Sequence, residues 1–288
     1  MKIDARALIV DKDEKLRLEN RPTEVAPLYE SKQDYEKALA DHSGRIARGH
    51  ERLFAAGRNG LLIVFQGMDT SGKDGAIKHV MSAVNPQGCR VASFKQPTPL
   101  EKAHDFLWRV QPFLPERGAI SVFNRSHYEA VLIERVHPRL LAAEGEPRPK
   151  DFDAFFDTRF RAIREFERHL VENGTAVVKI FLHISKAEQK KRLLERLDDT
   201  EKNWKASMAD VEERGYWKDY QHAYEQALSG TSVKQAPWHV VPGDDKKNAR
   251  LYVGGILFDA FESLNLEAPK PNAQRRQELK AIREKLAG

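Results

Sequence analysis

The run Gly67-Met68-Asp69-Thr70-Ser71-Gly72-Lys73-Asp74-Gly75 gathers glycines, two carboxylates and a lysine into one short stretch. It has the spacing G-x-x-x-x-G-K of a phosphate-binding loop, with Asp74 where Ser or Thr normally follows the lysine. Glycines let backbone N–H groups converge on phosphate oxygens, and a helix opening behind them adds partial positive charge. Lys73 then offers a point charge to a bridging or terminal phosphoryl oxygen. A plain glycine turn between strand and helix would explain the glycines but not the spacing or the lysine. The missing hydroxyl usually ligates Mg²⁺, so another oxygen must hold the metal. Asp69, where the chain leaves the preceding strand, is the first candidate; Asp74 is either a second ligand or a first-turn acid favoured by the helix dipole.

A second cluster is Phe123-Asn124-Arg125-Ser126-His127-Tyr128-Glu129, at the end of an apolar run. Asn124 is a neutral oxygen donor where an Asp is normal, Glu129 can restore the charge, and Arg125 can bridge phosphates bidentately. The plain alternative is an Arg125–Glu129 salt bridge at a strand end. His127, with no second histidine at ligand spacing, reads as a satisfied, partly buried histidine. Farther on, Arg192 and Arg196 stand four apart and share one helix face. Phosphoryl transfer depends on in-line positioning and on neutralising the charge of the transferred group, which suits such a pair. The alternative is a solvated face paired with Glu188 and Glu195, and Trp204, Trp217 and Tyr220 read as helix packing.

The elements that position these residues alternate. Ser31 with Asp34 reads as a capping box for a helix carrying Tyr35, Leu39, Ile46 and Leu53 up to Gly57. Leu61 to Phe65 is a continuous apolar run, as expected of a strand buried on both faces of a parallel sheet. Helix from Lys73 to Val84, strand from Arg90 to Phe94, a helix with Phe106, Leu107 and Val110, and strand from Ala119 to Phe123 follow. A long helix from Asp151 to Glu172, strand from Thr175 to Ile184, a charged helical lid over 186–230 and a short strand from Pro237 to Val241 complete the pattern. Strands alternating with helices predict a doubly wound α/β sheet. Beyond Pro269 and Pro271 lies a basic terminal helix, over about 272–288.

The composition bounds the reading. A chain of 288 residues with 41% hydrophobic content is expected to form a single domain with a mobile appendage. One cysteine, Cys89, excludes an internal disulfide framework and fits a reducing compartment, with the cytoplasm expected. A net charge of +5 suits anionic ligands, without the basic runs of a nucleic-acid-binding tail. Neither a signal peptide nor a membrane span is expected.

The motifs G-M-D-T-S-G-K-D-G, F-N-R-S-H-Y-E, R-L-L-E-R-L-D-D-T-E-K-N-W-K-A-S and W-K-D-Y, in that order, resemble the polyphosphate kinase 2 family. The resemblance implies a thymidylate-kinase-like P-loop fold, a three-layer α/β sandwich with a parallel sheet and a helical lid. It implies transfer of phosphoryl groups between inorganic polyphosphate and nucleotides, with Mg²⁺ as cofactor and Mn²⁺ as a replacement. It assigns Asp69 and Lys73, with Gly67, Thr70, Ser71, Gly72, Asp74 and Gly75, to the first phosphate motif, Asn124 and Arg125 to the second, and Arg192 and Arg196 to the lid. Lys202, Trp204, Lys205 and Ser207 match a lid motif, and Asp244, Asp245, Lys246 and Arg250 a D-D-K-x-x-A-R stretch. Asp198-Asp199-Thr200 lacks the proline usual before that lid motif. The N-R-S-H-Y-E form is similar to members that phosphorylate both AMP and ADP, with guanine nucleotides as further acceptors, and the family implies a homo-oligomer, a tetramer. The residues alone leave the donor open, so an ATP-dependent nucleoside or nucleotide kinase and a non-catalytic polyanion or nucleotide binder remain as alternatives.

Overall fold

The computed structural model describes residues 4–143, 149–267 and 270–288. Its helices are α1 (Lys32–Ala56), α2 (Lys73–Met81), α3 (Pro99–Lys102), α4 (Glu129–Val136), α5 (Arg139–Ala143), α6 (Phe152–Glu172), α7 (Lys186–Asp198), α8 (Met208–Gly215), α9 (Trp217–Thr231), α10 (Lys246–Ser263) and α11 (Ala273–Ala287). Its strands are β1 (Gly60–Gly67), β2 (Cys89–Ser93), β3 (Ile120–Asn124), β4 (Thr175–His183) and β5 (Trp238–Pro242). All pair in parallel in the order β2-β3-β1-β4-β5.

Every residue of β1 is buried, as a central parallel strand covered on both faces requires. The side-chain alternation of a strand divides it between two cores. Leu62 and Val64 join Phe156, Phe160, Tyr224 and Trp238 on the α6/α9 face, whereas Leu61, Ile63 and Phe65 join Ile46, Ile77, Val253 and Phe261 on the α1/α2/α10 face. The result is three layers, helix, sheet and helix. α1 begins at Ser31, whose side chain accepts from the Asp34 N–H, while the Asp34 carboxylate accepts from the Glu30 N–H, one residue outside the expected box. It ends at Gly57 in the left-handed region at φ 58°, where a glycine is free of strain.

Two expectations change. The segment with Phe106, Leu107 and Val110 forms no α-helix: Asp105 accepts from the Leu107 N–H in a turn, and a 3-10 helix over Trp108–Phe113 follows, with Pro112 inside it. Between the last strand and the terminal helix lies α10, eighteen residues that helical periodicity had not marked. It is buried nearly all round and packs against both α1 and the sheet, so its sequence shows no polar stripe. Within the expected lid, α9 buries Ala223, Tyr224, Ala227 and Leu228 in the core, while α8 buries no residue. Pro269 lies outside the described residues, and no helix among those described is long and apolar enough to cross a membrane.

Candidate active site

The turn from β1 into α2 is built at the carboxyl edge of the sheet, the place where open α/β sheets bind ligands. Thr70 at φ 58° and Gly72 at φ 100° curl the backbone between Gly67 and Lys73. Gly67 is held to glycine by space, since a Cβ there would lie 2.8 Å from the Leu182 carbonyl. The Lys73 ammonium folds back inside this curl and donates to the Gly67 carbonyl at 2.7 Å and the Met68 carbonyl at 3.1 Å. Burial, followed by the nearby Arg125 cation, lowers its pKa to about 8, against the pull of Asp69, Glu129 and Asp74.

The sheet register brings the second cluster beside the loop. Phe65 of β1 pairs with Asn124 of β3, and the Arg125 N–H donates to the Phe65 carbonyl at 3.1 Å. Arg125 adopts φ 62°, a conformation that costs a non-glycine residue free energy. Its guanidinium pairs with Glu129 at 3.4 Å, and that charge, above all, raises its pKa. The Asn124 amide N–H donates to Asp74 at 2.8 Å. Asn124 and Glu129 thus engage other protein groups, whereas Asp69 keeps a buried Oδ2 without a hydrogen bond, 3.6 Å from Arg196.

The two lid arginines lie in different settings. Arg196 stands between Asp69 and Asp210, at 3.6 and 3.3 Å, within reach of the site. Arg192 is 5% exposed and lies beneath the loop. It donates to the carbonyls of Thr70, Ser71, Gly243 and Asp244 at 2.6 to 3.0 Å, with its Nε on Glu188 at 2.8 Å. Every guanidinium nitrogen is engaged. Arg192 therefore braces the loop from behind instead of facing its anion side.

The remaining motif residues spread around the rim. Lys205 lies 3.9 Å from Asp74, Trp204 is exposed, Ser207 caps α8 reciprocally with Asp210, and Lys202 pairs with Asp199. Asp244 accepts from the Ser185 N–H, Asp245 caps α10, Lys246 faces Glu195 at 3.7 Å, and Arg250 lies against Gly75. His127 departs from its expectation: it is fully buried, neither ring nitrogen has a hydrogen bond among the described residues, and Glu167 at 3.7 Å is its charged neighbour.

Sequence reasoning missed the polar layer beneath the site. Lys179, on β4, donates to Glu167 at 2.6 Å, to the Thr231 carbonyl at 2.8 Å and to the Tyr128 hydroxyl at 3.1 Å, all fully buried. A lysine within the otherwise apolar Val177–Leu182 run was the available signal, because a charge so placed needs a partner.

The arrangement can neutralise a polyanion and hold a divalent cation. Among the described residues no group of three or more His, Cys, Asp or Glu could hold a metal. Mg²⁺ needs no such cage, since one or two carboxylates with substrate phosphate oxygens and waters complete its octahedron. The unbonded Asp69 Oδ2 is a donor of the right hardness.

The family model described as Polyphosphate kinase 2 (PPK2) matches residues 29–269. The chain is 50% identical over 287 residues to an ADP-polyphosphate phosphotransferase of Rhodopseudomonas palustris, covering 99% of each. It is 44% identical over 250 residues to an AMP/ADP-polyphosphate phosphotransferase of Meiothermus ruber, 87% of this chain and 90% of the relative. Among solved structures, polyphosphate kinase 2 from Arthrobacter aurescens TC1 superposes with a TM-score of 0.87 at 43% identity, covering 97% of this chain and 96% of that one.

Proposed function

The chain belongs to the polyphosphate kinase 2 family, and from that premise we propose that it moves the terminal phosphoryl group of inorganic polyphosphate onto ADP and AMP, giving ATP and ADP. The observation that carries the reading is the loop from Gly67 to Gly75, with Lys73 folded inside it and Arg125 brought alongside by the β1–β3 register. An oxygen of the acceptor's terminal phosphate attacks the terminal phosphorus of the donor, and the bond to the bridging oxygen breaks in line. The polyphosphate leaves one unit shorter, and microscopic reversibility allows the reverse transfer. At neutral pH the acceptor phosphate is largely ionised, with a second pKa of about 6, so no strong base is needed. Catalysis is then positioning and charge neutralisation.

Loop amides and Lys73 hold the donor's terminal phosphoryls, Lys73 turning from the Gly67 and Met68 carbonyls to the incoming anion. Arg125 and Arg196 neutralise the transferring group from the two sides. Arg192 acts through the loop it braces. Asp69 would hold the divalent cation, Mg²⁺ or Mn²⁺ in its place, which supplies positive charge to the phosphate oxygens; Asn124 and Glu129 would adjust around it by releasing Asp74 and Arg125.

The protein is proposed to work in the cytoplasm as a homo-oligomer, a tetramer. The exposed stripe of Leu279, Ile282 and Leu286 on α11 offers an apolar contact face, and light scattering of the full chain gives the mass. The function is tested by offering AMP, ADP, GMP and GDP separately with Mg²⁺ and polyphosphate and identifying the products. Formation of ADP from AMP and of ATP from ADP is expected, with guanine nucleotides as further acceptors; an acceptor range without adenine nucleotides would overturn the assignment.

A further inference from the structure

The two phosphate clusters meet where the β1–β3 ladder ends. Phe65 stands opposite Asn124, so Gln66 and Arg125 are the first residues beyond the pairing. Arg125 has φ 62°, and its N–H ties its backbone to the Phe65 carbonyl at 3.1 Å. A non-glycine residue stays in that region only where its surroundings hold it there.

Part of the holding comes from a side chain of β1. Gln66 is 1% exposed, and its amide N–H donates to the Ser126 hydroxyl oxygen at 3.2 Å. The same oxygen accepts from the Tyr128 N–H at 3.2 Å, and the Ser126 carbonyl accepts from the Glu129 N–H at 3.1 Å. Ser126 therefore shapes the turn that leads from Arg125 into α4, and Gln66 clamps that turn to β1. The next residue in the chain is Gly67, whose carbonyl accepts from the Lys73 ammonium at 2.7 Å. One buried side chain thus ties the backbone beside Lys73 to the backbone beside Arg125. Stability does not account for it. Gln66 alternates with Leu62 and Val64, on the face of β1 turned to the α6/α9 core, and its Oε1 has no hydrogen bond among the described residues. A buried acceptor left unpaired costs free energy that an apolar side chain of the same length would not. A local rule broken in this way is expected at a functional site.

We propose that Gln66 is a positioning residue for phosphoryl transfer: through Ser126 it holds Arg125 against the phosphate loop. The inference rests on the role given to Arg125 in neutralising the transferring group. Its test uses the full-length protein, with kcat and KM measured for polyphosphate and ADP and with thermal unfolding alongside. Gln66→Met keeps the length of the side chain and removes its hydrogen bond. It should keep the parental unfolding midpoint and both KM values within about twofold, while kcat falls about tenfold, as expected for a contact made in the transition state. In an Arg125→Ala background the same substitution should change kcat by less than about twofold, because the group it positions is gone. Ser126→Ala should repeat the loss of kcat, and Ser126→Thr, which keeps the hydroxyl, should recover most of it. Should Gln66→Met fail to fold, Ser126→Ala with and without Arg125 carries the same comparison. An unchanged kcat in Gln66→Met would overturn the proposal. So would an equal loss with and without Arg125, which would mark a packing defect. Arg125→Ala at the parental kcat would instead remove the premise, and the proposal with it.

Discussion

The Lys73 ammonium is bonded to backbone carbonyls, and burial makes it easier to deprotonate than an exposed lysine, at about 8. The protonated form binds the donor, so kcat/KM for polyphosphate should hold below that value and fall as pH rises through it. Bound phosphate favours the charged form, so kcat should fall only at higher pH. A Lys73→Arg variant should lose the alkaline limb, because guanidinium does not titrate there, and Lys73→Ala should lose transfer; paired kcat and kcat/KM profiles check both. Arg192 makes a different prediction. Its removal leaves four carbonyls, those of Ser71 and Gly243 buried and those of Thr70 and Asp244 part-buried, without their shared donor, so Arg192→Ala should lose about 3 kcal/mol of stability along with activity, measured by denaturant unfolding. An active variant of unchanged stability would contradict the brace.

At the scale of elements, α7, α8 and the 3-10 turn Asn203–Lys205 between them carry exposed Leu194, Leu197, Trp204, Met208 and Val211, a density of apolar surface that a closing lid would cover. Trp204, 75% exposed, should change its fluorescence when polyphosphate and nucleotide are both bound, and the change should vanish in Trp204→Phe. The strands and the loop were legible in the sequence because they rest on local signals: a buried apolar run, a glycine turn and a capping residue. Helix α10 was not, because Gly254, Gly255 and its apolar residues pack on several sides at once, and Gly49 of α1 admits Phe261 to within 2.5 Å of where a Cβ would stand. Close approach between distant helices leaves no periodic trace. The site was legible to the level of residue types: Lys73, Asp69 and Arg125 stand around one loop. The contrast between Arg192 and Arg196 was not, since a shared helix face does not tell which arginine a neighbouring turn of backbone will claim.

Across the whole molecule the site rests on a buried charge pair that ties the sheet to both helices of one layer. Lys179 on β4 meets Glu167 of α6 and the Thr231 carbonyl at the end of α9, and Tyr128, within the second cluster, donates to Glu167 at 2.7 Å. Removing one partner strands the other's charge in the core, so Lys179→Met alone should cost about 3 to 5 kcal/mol, and the double variant with Glu167→Leu should recover much of it. Denaturant unfolding of the two variants reads that difference. The fold and the loop fit phosphoryl transfer, and the family points to a donor without a nucleoside. The most direct measurement is therefore nucleotide formation by the purified protein with polyphosphate as sole donor, run beside an otherwise identical reaction with ATP as donor and AMP as acceptor. The account predicts ATP from ADP with polyphosphate alone, and no comparable transfer from ATP to AMP. Transfer from ATP alone, with none from polyphosphate, would contradict it.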